Sequence, residues 1–455
     1  MDQTFTYREK IKQIFVLLIP ILITQLGMFS MVFFNTIMSG KYSPYDLAGV
    51  AIGTSIWNPV FTGLSGILLA VSPIVAQRYG ERNTKEISVT LTHGIYLAMI
   101  IAVTVLIIGF FLLKPLLGLM NLDANVESVA HDYLIGLSIG IIPLFVFNTL
   151  RSFIYGLGKT RIVMYILLLA LPLNLFLNYV LIYGKWVFPE LGGVGGGYAS
   201  AITYWFILAM TVLVIVMQEP FNQYVKLSSF KMFKWSKCNE ILKIGVPMGL
   251  SIFFETSMFA IVTILISQYD VITIAAYQTA LNIVSFLYMI PLSISTALTV
   301  LVGYEVGAKR NKDAKIYSFL GIGLAILIAF ITGILVITFR YDVAGLYSNE
   351  AAVIKLTGHF LIYALFFQMS DALQATTQAA LRGYKDVNIA FIMTLIAYWL
   401  ICLPLGYALA HFTNLEASGY WIGLSIGLFV AGIALTTRLL QVQKRKFGVI
   451  QEKVS

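Results

Sequence analysis

The sequence predicts an all-α polytopic membrane protein, with twelve transmembrane helices in two pseudo-symmetric six-helix lobes. Three observations predict it. Of 455 residues, 59% are hydrophobic and only 11% are charged, with a mean hydropathy of +0.87, whereas about a quarter of a soluble globular chain is charged. Apolar stretches of about eighteen residues or more, long enough to cross a bilayer, recur twelve times. The chain also repeats itself at a shift of 227 residues.

The expected spans are 13–35, 47–76, 88–113, 129–154, 162–183 and 194–217, then 243–267, 271–303, 316–338, 353–380, 388–411 and 417–438. The first follows a short polar segment without a small-residue cleavage site, so it reads as a retained helix rather than a signal peptide. Pro20 in the first span, Pro59 and Pro73 in the second, and Pro143, Pro172, Pro247, Pro291 and Pro404 in later ones free backbone groups that neighbouring helices or water must satisfy. Pro20, with Gln25 and Asn35 after it on the same helix, marks a helix expected to bend between two states. The sixth span opens on Gly192, Gly193, Gly195, Gly196 and Gly197. That run lacks phosphate-loop spacing and a preceding strand, so it reads as close helix packing. A basic loop at 218–242 then separates an N-terminal lobe, 1–217, from a C-terminal lobe, 243–455.

With a cytoplasmic N-terminus, only Lys41, Lys114, Lys185, Arg340 and Lys355 of the 30 Lys and Arg face outward. The other 25 share the inner face, as the positive-inside rule requires, and one miscounted span would destroy that split. Both termini are thus expected in the cytoplasm, with the chain in a bacterial inner or plasma membrane. The net charge of +9 is spread over short clusters between apolar runs, so no nucleic-acid partner is expected. No nucleotide loop, metal-binding helix or nucleophile motif is present, so neither an enzyme nor a cofactor is expected.

The repeat is clearest where LAGVAIGTSIWNPVFTGLSGILLAVSPIVAQRYGERNTKEI, from Leu47, lies over IAAYQTALNIVSFLYMIPLSISTALTVLVGYEVGAKRNKDAKI, from Ile274. Ala48 then meets Ala275, Gly80 meets Gly307 and Lys85 meets Lys312. Six helices per repeat is an even number, so both halves run the same way through the membrane.

Of 21 acids, only Glu255 and Asp371 fall at mid-membrane depth, and no Lys or Arg is expected there. Two carboxylates in an apolar setting without a basic partner read as a site for something positive. A second, uncharged set, Gln25, Asn35, Asn174, Asn178 and Thr203, lies on the first, fifth and sixth spans. Asn174 and Asn178, four apart, share a helix face. Interhelical hydrogen bonding and coordination of water or an ion both fit this set.

The stretches QLGMFSMVFFNTIMSG, DLAGVAIGTSIWNPVFTGLSGILLAVSPIVAQRYG, FFETS, AAYQTALNIVSFLYMIPLSISTALTVLVGYEVG and SDALQ resemble the multidrug and toxic compound extrusion (MATE) family, in its NorM-like branch. The resemblance spans nearly the whole chain. It implies two six-helix lobes in a V around a central cavity, exporting cationic or amphipathic drugs in exchange for Na⁺ or H⁺, with no other metal. By position it implies that Glu255 and Asp371 bind the coupling cation, with Asn282 and Tyr288 nearby, and that Ser55, Gln278 and Glu350 contact drug. The family's helix-one motif has an aspartate where this chain has Asn35, which removes a carboxylate from first-lobe coupling. Membrane lipid is the expected surrounding and a monomer the expected state. The alternative of the same fold superfamily is a flippase for lipid-linked oligosaccharide, whose anionic cargo calls for mid-span Arg or Lys instead of acids.

Overall fold

The computed structural model describes residues 3–120, 122–186, 188–225 and 233–451. Lys226, Lys231 and Lys453, counted above toward the inner face, lie outside the described residues. Among the described residues eleven helices are long and apolar enough to cross a membrane, and a bent pair makes the twelfth span.

The first half contains α1 (Tyr7–Tyr42), α2 (Pro44–Leu68) continuing into α3 (Val71–Gly80), α4 (Thr84–Gly118), α5 (Ala124–Ser138), α6 (Ile141–Gly156), α7 (Thr160–Tyr183) and α8 (Gly193–Met217). The second contains α9 (Trp235–Ile266), α10 (Val271–Gly307), α11 (Asn311–Thr338), the short α12 (Arg340–Gly345), α13 (Ala351–Gly383), α14 (Val387–Leu395), α15 (Leu403–Phe412) and α16 (Ala417–Gln451). The span expected at 129–154 is the pair α5 and α6, bent by 52°. Gly140 sits at the break, where an added Cβ would lie 2.7 Å from the Ala201 Cα, so only glycine lets α8 approach the corner. Asp270 precedes α10 and caps it, its carboxylate accepting from the Thr273 N–H at 2.7 Å. That bond holds its carboxyl below the usual range.

The repeat holds to the residue. At a shift of 227, α2 and α10 start in register at Pro44 and Val271, α3 and α10 end at Gly80 and Gly307, and α4 and α11 start at Thr84 and Asn311. The turns between them carry Arg82 and Lys309, both at positive φ. Later, α6 and α13 end at Gly156 and Gly383, while α7 and α14 start at Thr160 and Val387.

The chain packs as two compact units, one of residues up to Leu22 with those from Leu250 onward, the other Ile23–Gly249. The lobes drawn from the sequence, 1–217 and 243–455 about a loop at 218–242, divide the chain at other residues. The first part of α1 falls with the second-half helices, Leu18 packing with Ile294, Leu298 and Ala325. The start of α9 falls with the first-half helices, where an added Cβ on Gly249 would meet the Gly63 carbonyl at 2.5 Å. Apolar runs show where a long helix begins and ends, but not where along its length its packing partners change.

Segments expected on the inner face pair with one another. In one unit Lys10 pairs with Asp313 at 2.8 Å, and Arg438 holds Asp386 through two bonds of 2.7 and 2.9 Å. In the other, Arg78 meets Glu240 at 3.0 Å and Lys237 meets Glu86 at 2.8 Å.

Candidate functional site

The helix α13 is central to its unit and packs against α10, α11 and α16. Its C-terminal half is a run of small and amide residues, including Ser370, Ala372, Ala375, Thr376, Thr377 and Ala379, all buried. Asp371 lies near the start of this run and is itself only 6% exposed. Glu255 projects half-buried from α9 of the same unit. The charge of Glu255 acts on Asp371, and both act on Tyr288 of α10 and on Tyr398. Neither carboxylate has an ion pair or a hydrogen bond among the described residues. Glu255, Asp371, Tyr288 and Tyr398 are thus within electrostatic range of one another.

Arg382 lies in the last turn of α13, which runs on to Gly383, at the helix end where the basic residues are expected. Its charge acts on Glu255 and Tyr288. It donates to Gln378 Oε1 at 3.0 Å, and it makes an ion pair with neither acid. Eleven residues beyond Asp371, it lies about 16 Å along the helix axis from it. It therefore biases Glu255 from one side without neutralising the pair.

The other residues implied by resemblance have these surroundings. Asn282 is exposed and donates to the Gln278 carbonyl of its own helix at 2.9 Å; Gln278 is half-buried. Ser55 is exposed on α2, donating to the Ala51 carbonyl at 2.8 Å. Glu350 is exposed just ahead of α13, at the opposite end from Arg382 and about 30 Å along the axis from Asp371. Pro20 is buried, and α1 runs through it as one helix.

In the other unit the uncharged set forms a hydrogen-bonded strip along α8. The Asn174 amide donates to Thr203 Oγ1 at 3.0 Å, and the Asn178 amide donates to Asn174 Oδ1 at 3.0 Å. Two turns away on the same face of α8, the Asn35 amide donates to the Gly196 carbonyl at 3.2 Å. The glycine run makes this possible. A Cβ on Gly196 would run into the Asn35 amide, and one on Gly195 would lie 2.6 Å from the Leu181 carbonyl of α7. Gln25 stays outside, half-buried on α1 and without a hydrogen bond among the described residues. The interhelical bonds of Asn174 carry stability: Asn174→Ala is expected to cost about 1–3 kcal/mol by stranding buried partners, read as a lowered melting temperature of the purified protein in detergent.

The MatE family profile matches this chain twice, at residues 20–180 and 247–408, the two stretches again 227 apart. The chain belongs to the MatE family. It is 51% identical over 445 residues to the probable multidrug resistance protein NorM of Halalkalibacterium halodurans, covering 98% of this chain and 97% of that one. The protein of the same name from Bacillus subtilis is also 51% identical, covering 98% of each chain. Among solved structures, the Vibrio cholerae MATE transporter VcmN in the bent form aligns with a TM-score of 0.87 at 18% identity, over 96% of this chain and 98% of that one. A MATE in the bent conformation aligns with a TM-score of 0.87 at 21% identity, covering 96% and 97%. This MatE member is therefore a multi-pass membrane transporter of a multidrug-efflux family, and not an enzyme.

The sequence singles out the two acids of this MatE chain and places Arg382 at a helix end, but it does not single out Tyr398. Tyr398 is one aromatic among many in apolar spans, with nothing local to mark it.

Proposed function

We propose that this chain exports cationic and amphipathic drugs by antiport with Na⁺ or H⁺, using Glu255 and Asp371 as the carboxylates at which coupling ion and drug exclude one another. The observation that carries the reading is the pair itself: Asp371 buried and Glu255 half-buried, each within the field of the other, neither holding an ion pair or hydrogen bond among the described residues. Two negative charges in a medium of low dielectric repel strongly, so binding one positive charge is favourable and binding a second is far less so. A small cation and a cationic drug then compete for the same charge, and competition across a membrane is exchange. The half-buried aromatic ring of Tyr288, within the field of both acids, suits a flat organic cation. The transporter acts as a monomer in a bacterial cell membrane, with both termini in the cytoplasm. A lipid-linked oligosaccharide carries anionic phosphate, for which this acidic cluster is the wrong sign.

Efflux of ethidium from membrane vesicles, with Na⁺ and proton gradients imposed separately, tests the reading. One of the two gradients should drive export. Ethidium export indifferent to both would sink it. The bias from Arg382 supplies a second check. Arg382→Gln removes a positive charge from the field at Glu255 and should tighten the half-saturating coupling-ion concentration about three- to tenfold, the scale of a unit charge roughly 12–25 Å away at an effective dielectric of about 20.

A further inference from the structure

Where α4 ends and α5 begins, a cleft of about 300 Å³ opens between Lys114 and Leu117 of the first helix and Ala124, Glu127, Ser128 and His131 of the second. It belongs to the unit Ile23–Gly249, not to the unit of Glu255 and Asp371, and to the face expected outside the cell. Its size is at the lower end for a small-molecule site. On α5, Ala124 and Ser128 are four apart, as are Glu127 and His131, so each pair shares a helix face. Leu117, 1% exposed, adds an apolar lining.

The cleft carries both signs of charge without pairing them. Lys114 and Glu127 line it together, yet neither side chain has an ion pair or a hydrogen bond among the described residues. A simple anion would be repelled by Glu127 and a simple cation by Lys114, whereas a ligand with one charge of each sign satisfies both. His131 adds an acceptor. Its Nδ1 lies 2.9 Å from Asp132 Oδ1. A carboxylate accepts only, so the neutral ring carries its proton on Nδ1 and keeps Nε2 as an acceptor. Glu127 and His131 thus offer acceptors to N–H donors, while Lys114 offers a cation to a phosphate.

The approach to the cleft is apolar. Of the eleven unbroken spans α4 is the least buried, with 17% of its most apolar stretch covered. Ile100, Val103, Ile107 and Phe110 form one helical stripe, each at least 44% exposed, and Lys114 continues it four residues on. From Val103 to Lys114 the stripe is about 16 Å long, close to half of a hydrocarbon core of about 30 Å. An acyl chain of one leaflet laid along it ends at the cleft.

We propose that this cleft holds the headgroup of a phospholipid bearing a primary amine, with its phosphate at Lys114, its ammonium at Glu127 and His131, and an acyl chain on the α4 stripe. The site goes beyond the antiport reading and does not depend on it, since it uses neither Glu255 nor Asp371. The amine separates this lipid from others in a bilayer. A choline headgroup has no N–H to donate, and a glycerol headgroup brings no positive charge to Glu127.

Native mass spectrometry of the delipidated full-length transporter in detergent, titrated with dioleoyl-phosphatidylethanolamine, -phosphatidylcholine or -phosphatidylglycerol, tests this. The parent should bind its first ethanolamine lipid about tenfold more tightly than either of the others, the scale of one charge-assisted contact. Glu127→Gln should abolish the preference over phosphatidylcholine while leaving phosphatidylcholine binding unchanged. Lys114→Gln should weaken ethanolamine-lipid binding about tenfold. Lys41 is exposed at the end of α1 and outside the cleft, so Lys41→Gln should bind like the parent. Lys114 is exposed and Glu127 half-buried, and neither side chain holds a partner, so these variants keep the fold. A parent without the preference, or a preference that survives Glu127→Gln, overturns the inference. So does an equal loss in Lys41→Gln and Lys114→Gln, which would mark general surface charge. Water-soluble glycerophosphoethanolamine binding as tightly as the lipid also overturns it, because the apolar stripe would then contribute nothing.

Discussion

In membrane vesicles, the double change Glu255→Gln with Asp371→Asn should cut ion-driven ethidium efflux about 100-fold or more, while the protein still inserts and purifies. Amides keep the size and the polarity of the acids, so packing in the cluster survives. What disappears is the negative charge that attracts the ion. Each lost charged contact is worth about 1.5–3 kcal/mol, and two of them exceed the roughly 2.7 kcal/mol that corresponds to a 100-fold change. Because the charge of each acid reaches the other, the two act as a unit, and either single change should show most of the loss. Efflux that persists at parental rate and parental dependence on the ion gradient would remove these acids from the mechanism.

Gly196→Val should be the most damaging single change in the other unit. The new Cβ would sit 2.8 Å from the Asn35 Cγ, in space that the amide already fills. Relief requires Asn35 to leave the Gly196 carbonyl, so overpacking and a stranded polar group act together. Each costs about 1–3 kcal/mol. The expected result is poor recovery of folded protein, or a melting temperature lowered by several degrees. Shortening Asn35 to Ala in the same chain opens the space and should restore part of the loss, since residues in contact are not additive. A Gly196→Val protein as stable as the parent would show that α1 and α8 do not need this close approach.

Much of this molecule was legible along the chain. The glycine run from Gly192 to Gly197 was expected to serve close packing, and α8 does approach α7 and α1 through it. The four-residue spacing of Asn174 and Asn178 placed them on one face, and they share a hydrogen bond there. Gln25 was grouped with them because it is polar and mid-span, but it lies about 15 Å along α1 from Asn35 and does not join the strip. Glu350 and Asn282 came with the resemblance; Glu350 lies a helix length from Asp371, and Asn282 is exposed and bonded to its own helix.

By itself the sequence determined the number of spans, the segregation of basic residues, the register of the repeat and the two acids at mid-depth. These follow from local composition and one-dimensional spacing, because the bilayer selects for length and polarity residue by residue. Only the tertiary structure decided which side chains lie within the field of those acids, Tyr398 on a π turn and Arg382 in the last turn of α13. It alone decided where along α1 and α9 the packing changes units. Those outcomes depend on how each helix is rotated about its axis and on partners more than a hundred residues away, and neither is written in the period of an apolar run.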